Sequence, residues 1–240
     1  MIGSKKTMLS DNWDYILKEA YEELEADYRF FLEGNTAYIP NKENYLNAFK
    51  TLPKEKVNYI LFGQDPYPRA ESASGYAFID ARVKTIFSEK GLSKEVNRAT
   101  SLRNFVKMAL LARGDLSPDD LSQDAIAALD KTAFISSIGE LRCNFERNGV
   151  LLLNTSLVFT DKKSSARHVK AWRPFVQSLL HSLEPQAPKL ILFGNHAKEL
   201  KKHLPLENFE TIELEHPYNH TFITNSKALD LFGPMQLLDK

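Results

Sequence analysis

The segment VNYILFGQDPYP, Val57 to Pro68, sets a short apolar run directly against a turn. Val57 to Phe62 is too short for a buried helix and ends at a glycine, so it reads as a buried strand. Gly63, Pro66 and Pro68 then fix an unusual turn that holds a carboxylate, Asp65, and a phenol, Tyr67, at defined positions. Taken alone, Asp65 also fits an Asx-turn or a helix cap, and Tyr67 fits simple packing. The pattern recurs along the chain. Val150 to Leu153 and Leu190 to Phe193 are similar runs, Glu210 to Leu214 is a weaker one, and they end in NTS, GNH and EHPYNH. Helical patterns lie near Ser101 to Arg113, Trp172 to Leu183, Ala197 to His203 and Asn225 to Leu238.

An N-terminal helix is expected from about Asp11 to Leu32, with Asp11 as N-cap and Trp13, Ile16, Leu17, Ala20, Tyr21 and Leu24 at helical spacing. Strands alternating with helices imply a three-layer α/β/α sandwich around a central four-stranded, mainly parallel sheet. No repeat or linker divides residues 1–240, so a single domain is expected. In open α/β sheets, ligand sites form at the carboxyl ends of the strands. Gln64, Asp65, Tyr67, Asn154, Asn195 and His216 follow the apolar runs and are expected to converge there.

Composition narrows the chemistry. With 43% hydrophobic and 26% charged residues, the chain fits a globular protein with one substantial core. It contains no apolar run of about 18 residues and no secretory signal pattern at its start, which points to a cytoplasmic or other reducing compartment and no membrane partner. The single cysteine, Cys143, excludes an internal disulfide and any cysteine-rich metal or iron–sulfur site built from this chain alone. Net charge is zero, so a nucleic-acid partner must be argued from local charge. Acidic residues gather at Asp115, Asp119, Asp120, Asp124 and Asp130. Lys162, Lys163, Arg167, Lys170 and Arg173 form a basic stretch, and Lys198, Lys201, Lys202 and His203 a second. Such runs also fit solvated faces.

GQDPYP (63–68), GYAF (75–78), SLRN (101–104), GVLLLNTSL (149–157), ILFGNHA (191–197) and HP (216–217) together resemble, in order, the signature segments of family 1 uracil-DNA glycosylases. The resemblance extends over about 57–229. It implies an enzyme that extrudes uracil from DNA and hydrolyses its N-glycosidic bond. Asp65 would orient the attacking water and stabilise positive charge on the sugar, and His216 would hydrogen-bond uracil O2 as negative charge develops there. Read alone, His216 also fits a structural histidine before a turn proline. Asn154 corresponds to the uracil reader, Phe78 to the stacking ring, and Tyr67 to the ring beside C5. Gln64 lies where a backbone amide holds the base, and Ser101 where a serine contacts a DNA phosphate.

The chain also departs from the family pattern. The usual HPSPLS loop, whose leucine wedges into the duplex, is replaced by HPYNHT (216–221), which makes Tyr218 and His220 the candidate wedges. Pro68 stands where the family usually has histidine, the proline-rich loop before Ser101 is absent, and extra residues fall within 79–100 and 114–139. The resemblance places His168 and Trp172 where the family has a similar His and Trp, and so reads Lys162, Lys163, Arg167 and His168 as DNA-facing. It implies uracil-containing DNA, single- or double-stranded, as partner and a monomer; the collected residues offer no metal-ligand spacing, so no metal and no cofactor are expected. It also brings in a phage-encoded inhibitor protein, whose grip depends on the altered loop. Other readings remain open. Iron–sulfur glycosylases need cysteines that are missing here, and mismatch-specific ones carry asparagine at the position of Asp65. A non-catalytic reader of flipped bases is disfavoured by the retained Asp65 and His216. A generic nucleotide-binding protein is disfavoured by the lack of a glycine-rich phosphate loop.

Overall fold

A computed structural model describes residues 13–240. The strands are β1 (Tyr59–Gly63), β2 (Phe87–Ser88), β3 (Gly91–Leu92), β4 (Val150–Asn154), β5 (Lys189–Phe193) and β6 (Thr211–Leu214). The α-helices are α1 (Asp14–Glu22), α2 (Ala26–Gly34), α3 (Lys94–Arg98), α4 (Thr100–Arg113), α5 (Gln123–Ala127), α6 (Ile138–Arg147), α7 (Ser165–Leu183), α8 (Gly194–His203) and α9 (Ser226–Phe232). The central sheet has four strands in the order β4-β1-β5-β6, and every neighbouring pair is parallel. The expected α/β/α sandwich is therefore the fold, with a sheet parallel throughout.

Strand periodicity explains the two cores. Ile60 and Phe62, Leu151 and Leu153, and Leu190 and Leu192 point into one apolar layer with Trp13, Leu17, Trp172 and Leu179. Leu61, Val150 and Leu152, and Ile191 and Phe193 point the other way, against Phe105, Leu141, Phe145 and Phe232. Alternate residues of a pleated strand face opposite sides, so a strand covered by helices on both faces is apolar at every position.

Three sequence expectations are corrected. The proposed N-cap Asp11 lies outside the described residues, and the helix expected from Asp11 to Leu32 is two helices, broken over Glu23–Glu25. Acidic side chains oppose a helix C-terminus and favour an N-terminus. The EELE run therefore ends α1 and starts α2, with Glu25 as N-cap and Asp27 in the first turn. Helix α7 begins at Ser165 rather than near Trp172, and carries Pro174 inside it. Its first turns mix Ser165, Arg167, His168 and Lys170 with the small Ala166 and Ala171 and bury only His168 and Trp172, a weak apolar stripe for announcing a helix. At the C-terminus, the α-helix stops at Phe232 and a 3-10 turn, Gly233–Met235, follows.

The two segments longer than the family pattern dock on each other. Gln123 Oε1 accepts from the Leu92 backbone N–H at 2.8 Å, and Gln123 Nε2 donates to Asn97 Oδ1 at 3.0 Å. Together β2, β3, α3 and α5 form a side lobe packed beside α4.

Candidate active site

The carboxyl ends of the sheet strands surround a cleft of about 470 Å³ lined by Leu61, Phe62, Gly63, Gln64, Asp65, Tyr67, Phe78, Ser101, Asn154, Phe193, Asn195, His196 and His216. The sheet order places β4 and β5 on opposite sides of β1, so the chain reverses its winding at β1, where α/β sheets open a crevice. Each of the six polar residues expected to converge is in this wall, joined by Phe78 and Ser101.

Asn154 ends β4 and is buried. Its register partner on β1 is Gly63, and a Cβ added at Gly63 would overlap Asn154 Oδ1. The glycine is what lets the amide lie across the strand end. The pairing continues beyond the strands: Thr155 N donates to Gly63 O at 2.9 Å and Ser156 N to Gln64 O at 3.0 Å. The GQD turn is thereby tied to the NTS turn.

Asp65 leaves this turn with its two oxygens in different situations. Oδ2 accepts from Ser165 Oγ at 2.6 Å and from Gln64 Nε2 at 3.1 Å. Oδ1 is buried and has no hydrogen-bond partner among the described residues. A buried carboxylate oxygen without a donor is costly unless a ligand or water supplies one.

His216 follows β6. The Tyr218 backbone N–H donates to its Nδ1 at 3.0 Å, so in the neutral ring Nε2 carries the proton. Burial of the surroundings pushes its pKa below the ordinary histidine value, which favours that neutral donor near pH 7. The ring also lies edge to face with Phe193, centroids 6.1 Å apart. The loop after it is gripped by Asn104 on α4, whose buried Nδ2 donates to the carbonyls of Pro217 at 2.8 Å, Asn219 at 3.2 Å and Tyr218 at 3.3 Å.

Tyr67 and Phe78 form the apolar wall. The Tyr67 O–H donates to Phe78 O at 3.3 Å, and burial raises the phenol well above its usual range. Phe78 has φ +67°, a left-handed conformation that costs a non-glycine residue about 1–3 kcal/mol. Its ring is fixed edge-on against Phe105, at 5.0 Å.

The residues expected to touch DNA divide. Ser101, in the first turn of α4, opens onto the cleft. Tyr218 is 67% exposed, and His220 is exposed on the same loop. Lys162, Lys163 and Arg167 are exposed close to Ser165, whose contact with Asp65 puts this end of α7 at the cleft rim. His168 is corrected: it is buried, with Nδ1 2.6 Å from the Tyr28 hydroxyl and Nε2 2.9 Å from Thr160 Oγ1. Both ring nitrogens are used internally, so this histidine anchors α7 to α2 and does not face DNA. In the second basic cluster, Lys201 pairs with Glu213 and His203 with Glu199, as on a solvated face.

Sequence reasoning missed Ser165 and the grip of Asn104. Asn104 left a signal, a polar residue on the buried face of α4 beside Leu102 and Phe105. A smaller cavity of about 230 Å³ between α7 and α8 shares Gln64 and His196 with the cleft, but Val169, Val176, Leu200 and Leu204 make much of its wall. Among the described residues no cluster of His, Cys, Asp or Glu is arranged to hold a metal ion, and no helix is long and apolar enough to cross a membrane.

Comparison with known proteins shows the family and the fold. The model of the uracil DNA glycosylase superfamily matches residues 49–232. A uracil-DNA glycosylase of Fusobacterium nucleatum is 27% identical over 220 residues, covering 87% of this chain and 81% of its own. The wild-type UNG crystal structure from Nitratifractor salsuginis is 57% identical, with TM-score 0.95, and the match covers 98% of this chain and 94% of that one. The crystal structure of mimivirus uracil-DNA glycosylase, 18% identical with TM-score 0.57 over 90% of this chain and 71% of that one, shares the fold.

Proposed function

Because the chain belongs to the uracil DNA glycosylase superfamily, we infer that it is a uracil-DNA glycosylase, a monofunctional hydrolase that releases uracil from DNA and leaves an abasic site. The observation that carries this reading is the meeting of Asp65, Asn154 and His216 around one cleft with the Phe78 ring beside them.

The glycosidic bond of a stacked nucleotide is out of reach, so the nucleotide is extruded at a cost of a few kcal/mol. In the cleft the base stacks on Phe78. The Asn154 amide donates to uracil O4 and accepts from N3–H, a pattern that cytosine reverses, leaving buried polar groups unpaired. The fixed Tyr67 ring fills the space a thymine methyl would need. When the bond from C1′ to N1 breaks, its electron pair leaves with the base, and negative charge gathers at O2. His216, neutral with its proton on Nε2, donates there, a contribution of about 3–4 kcal/mol for a well-placed donor. The sugar is left as an oxocarbenium ion facing Asp65. Asp65 Oδ1 holds the water whose oxygen bonds to C1′ and accepts its proton; that proton then passes to solvent, and the released uracil anion takes one up at N1.

Around this centre, Ser101, Lys162, Lys163 and Arg167 contact phosphates, Gln64 supports the base through its backbone, and Tyr218 or His220 braces the gap in a duplex. The phage-encoded inhibitor would have to grip the same altered loop. The protein acts as a monomer, in the cytoplasm. The test is incubation with a uracil-containing oligonucleotide followed by alkaline cleavage. Strand scission at uracil, with none at thymine or cytosine in the same context, is expected. Binding without scission would mark a base reader and overturn the reading.

A further inference from the structure

We infer that Ser165 is a positioning residue for Asp65, fixing the rotation of its carboxylate so that the unpartnered Oδ1 faces the reacting sugar. The inference rests on the reading of Asp65 as the carboxylate of a uracil-DNA glycosylase. A carboxylate attached to a turn rotates unless one oxygen is held, and the GQDPYP turn supplies few donors: Pro66 and Pro68 have neither a backbone N–H nor a polar side chain. Within the turn, Gln64 Nε2 is the donor that reaches Asp65, at 3.1 Å. The shorter bond comes from a residue 100 positions away, Ser165 Oγ to Asp65 Oδ2 at 2.6 Å.

Ser165 is free to make this bond because the start of α7 is secured by other groups. Asp161 accepts from the backbone N–H groups of Lys163, at 2.8 Å, and Ser164, at 3.1 Å, and from Ser164 Oγ at 2.8 Å. The helix that Ser165 opens has 19 residues, and its N-terminal end favours a carboxylate beside it. With Oδ2 doubly held, Oδ1 is left as a buried acceptor without a partner among the described residues. A displacement of about 1 Å in a reacting group costs on the order of a hundredfold in rate, so a hydroxyl that locks the carboxylate affects kcat without touching substrate.

The experiment compares excision kinetics of Ser165→Ala and Ser165→Thr, each made in the natural chain and in Asp65→Asn. Ser165→Ala is expected to lower kcat by about tenfold or more while KM stays within about twofold, and Ser165→Thr, which keeps a hydroxyl, to restore much of it. In Asp65→Asn the serine change should cost less than about twofold, because partners in one interaction are not additive. A kcat within twofold of wild type for Ser165→Ala, a loss carried by KM, or an equal loss in the Asp65→Asn background would overturn the inference while leaving the activity intact. A wild-type chain that releases no uracil would instead overturn the functional reading.

Discussion

The floor of the cleft and its rim are built differently. The floor consists of side chains whose positions the core dictates: Asn154 at the end of β4 lies across Gly63, Phe78 in the turn region between β1 and β2 is braced by Phe105, and the His216 loop after β6 is held by Asn104. On the rim, Tyr218, His220, Lys162, Lys163 and Arg167 are exposed. The departures from the family pattern, HPYNHT and the extra segments, fall mainly on the rim and the side lobe. On the proposed function, base chemistry needs sub-ångström placement and so is tied to the core, whereas a grip on phosphates tolerates variation because charge acts over a Debye length.

Changes to the floor should therefore cost far more than changes to the rim. His216→Ala removes the Nε2–H donor and should lower kcat by about 10²–10³ with little change in DNA affinity, measured under single-turnover conditions. Gly63→Ala forces the Asn154 amide aside and should lower kcat/KM on uracil by about ten- to a hundredfold, matching one or two buried hydrogen bonds left unmade. If this variant keeps full activity, the amide is not the reader. On the rim, replacing Lys162, Lys163 and Arg167 by alanine should leave single-turnover kcat within about threefold. It should also flatten the plot of log affinity against log salt by about 0.9 for each phosphate no longer neutralised. An unchanged slope would assign these residues to a solvated face.

The smallest effect concerns stability. Burial holds the pKa values of His168 and His196 below 6.5, and partial desolvation in the cleft does the same, with less weight, for the more exposed His216. The unfolded chain binds protons at these positions at higher pH than the folded one does. Their contribution to stability is thus complete above pH 6.5 and is lost as pH falls toward the folded values. Tm should decline between about pH 7 and 5, and His168→Gln, which takes one buried titrating group out of the fold, should make that decline shallower.

Much of the floor is legible in the amino-acid sequence because it lies where local patterns are strong. An apolar run ending in glycine or a polar turn locates a strand end, and strand ends in α/β sheets converge. The Asp65–Ser165 bond is not legible, since it joins residues 100 apart and neither has a local signature. His168 misleads for a related reason. A histidine within a basic stretch looks solvent-facing, and only the packing of α2 and of the loop before α7 shows that Tyr28 and Thr160 occupy its nitrogens. The break between α1 and α2 does leave a signal, because the acidic run at Glu22, Glu23 and Glu25 conflicts with a continuous helix.

The most direct check is the rate of uracil release from one DNA substrate by wild type and Asp65→Asn under single-turnover conditions. Release by wild type, with a loss of about a hundredfold or more in the variant and no loss of uracil-DNA binding, is predicted. Equal rates for the two would contradict the assignment of Asp65 to the bond-breaking step.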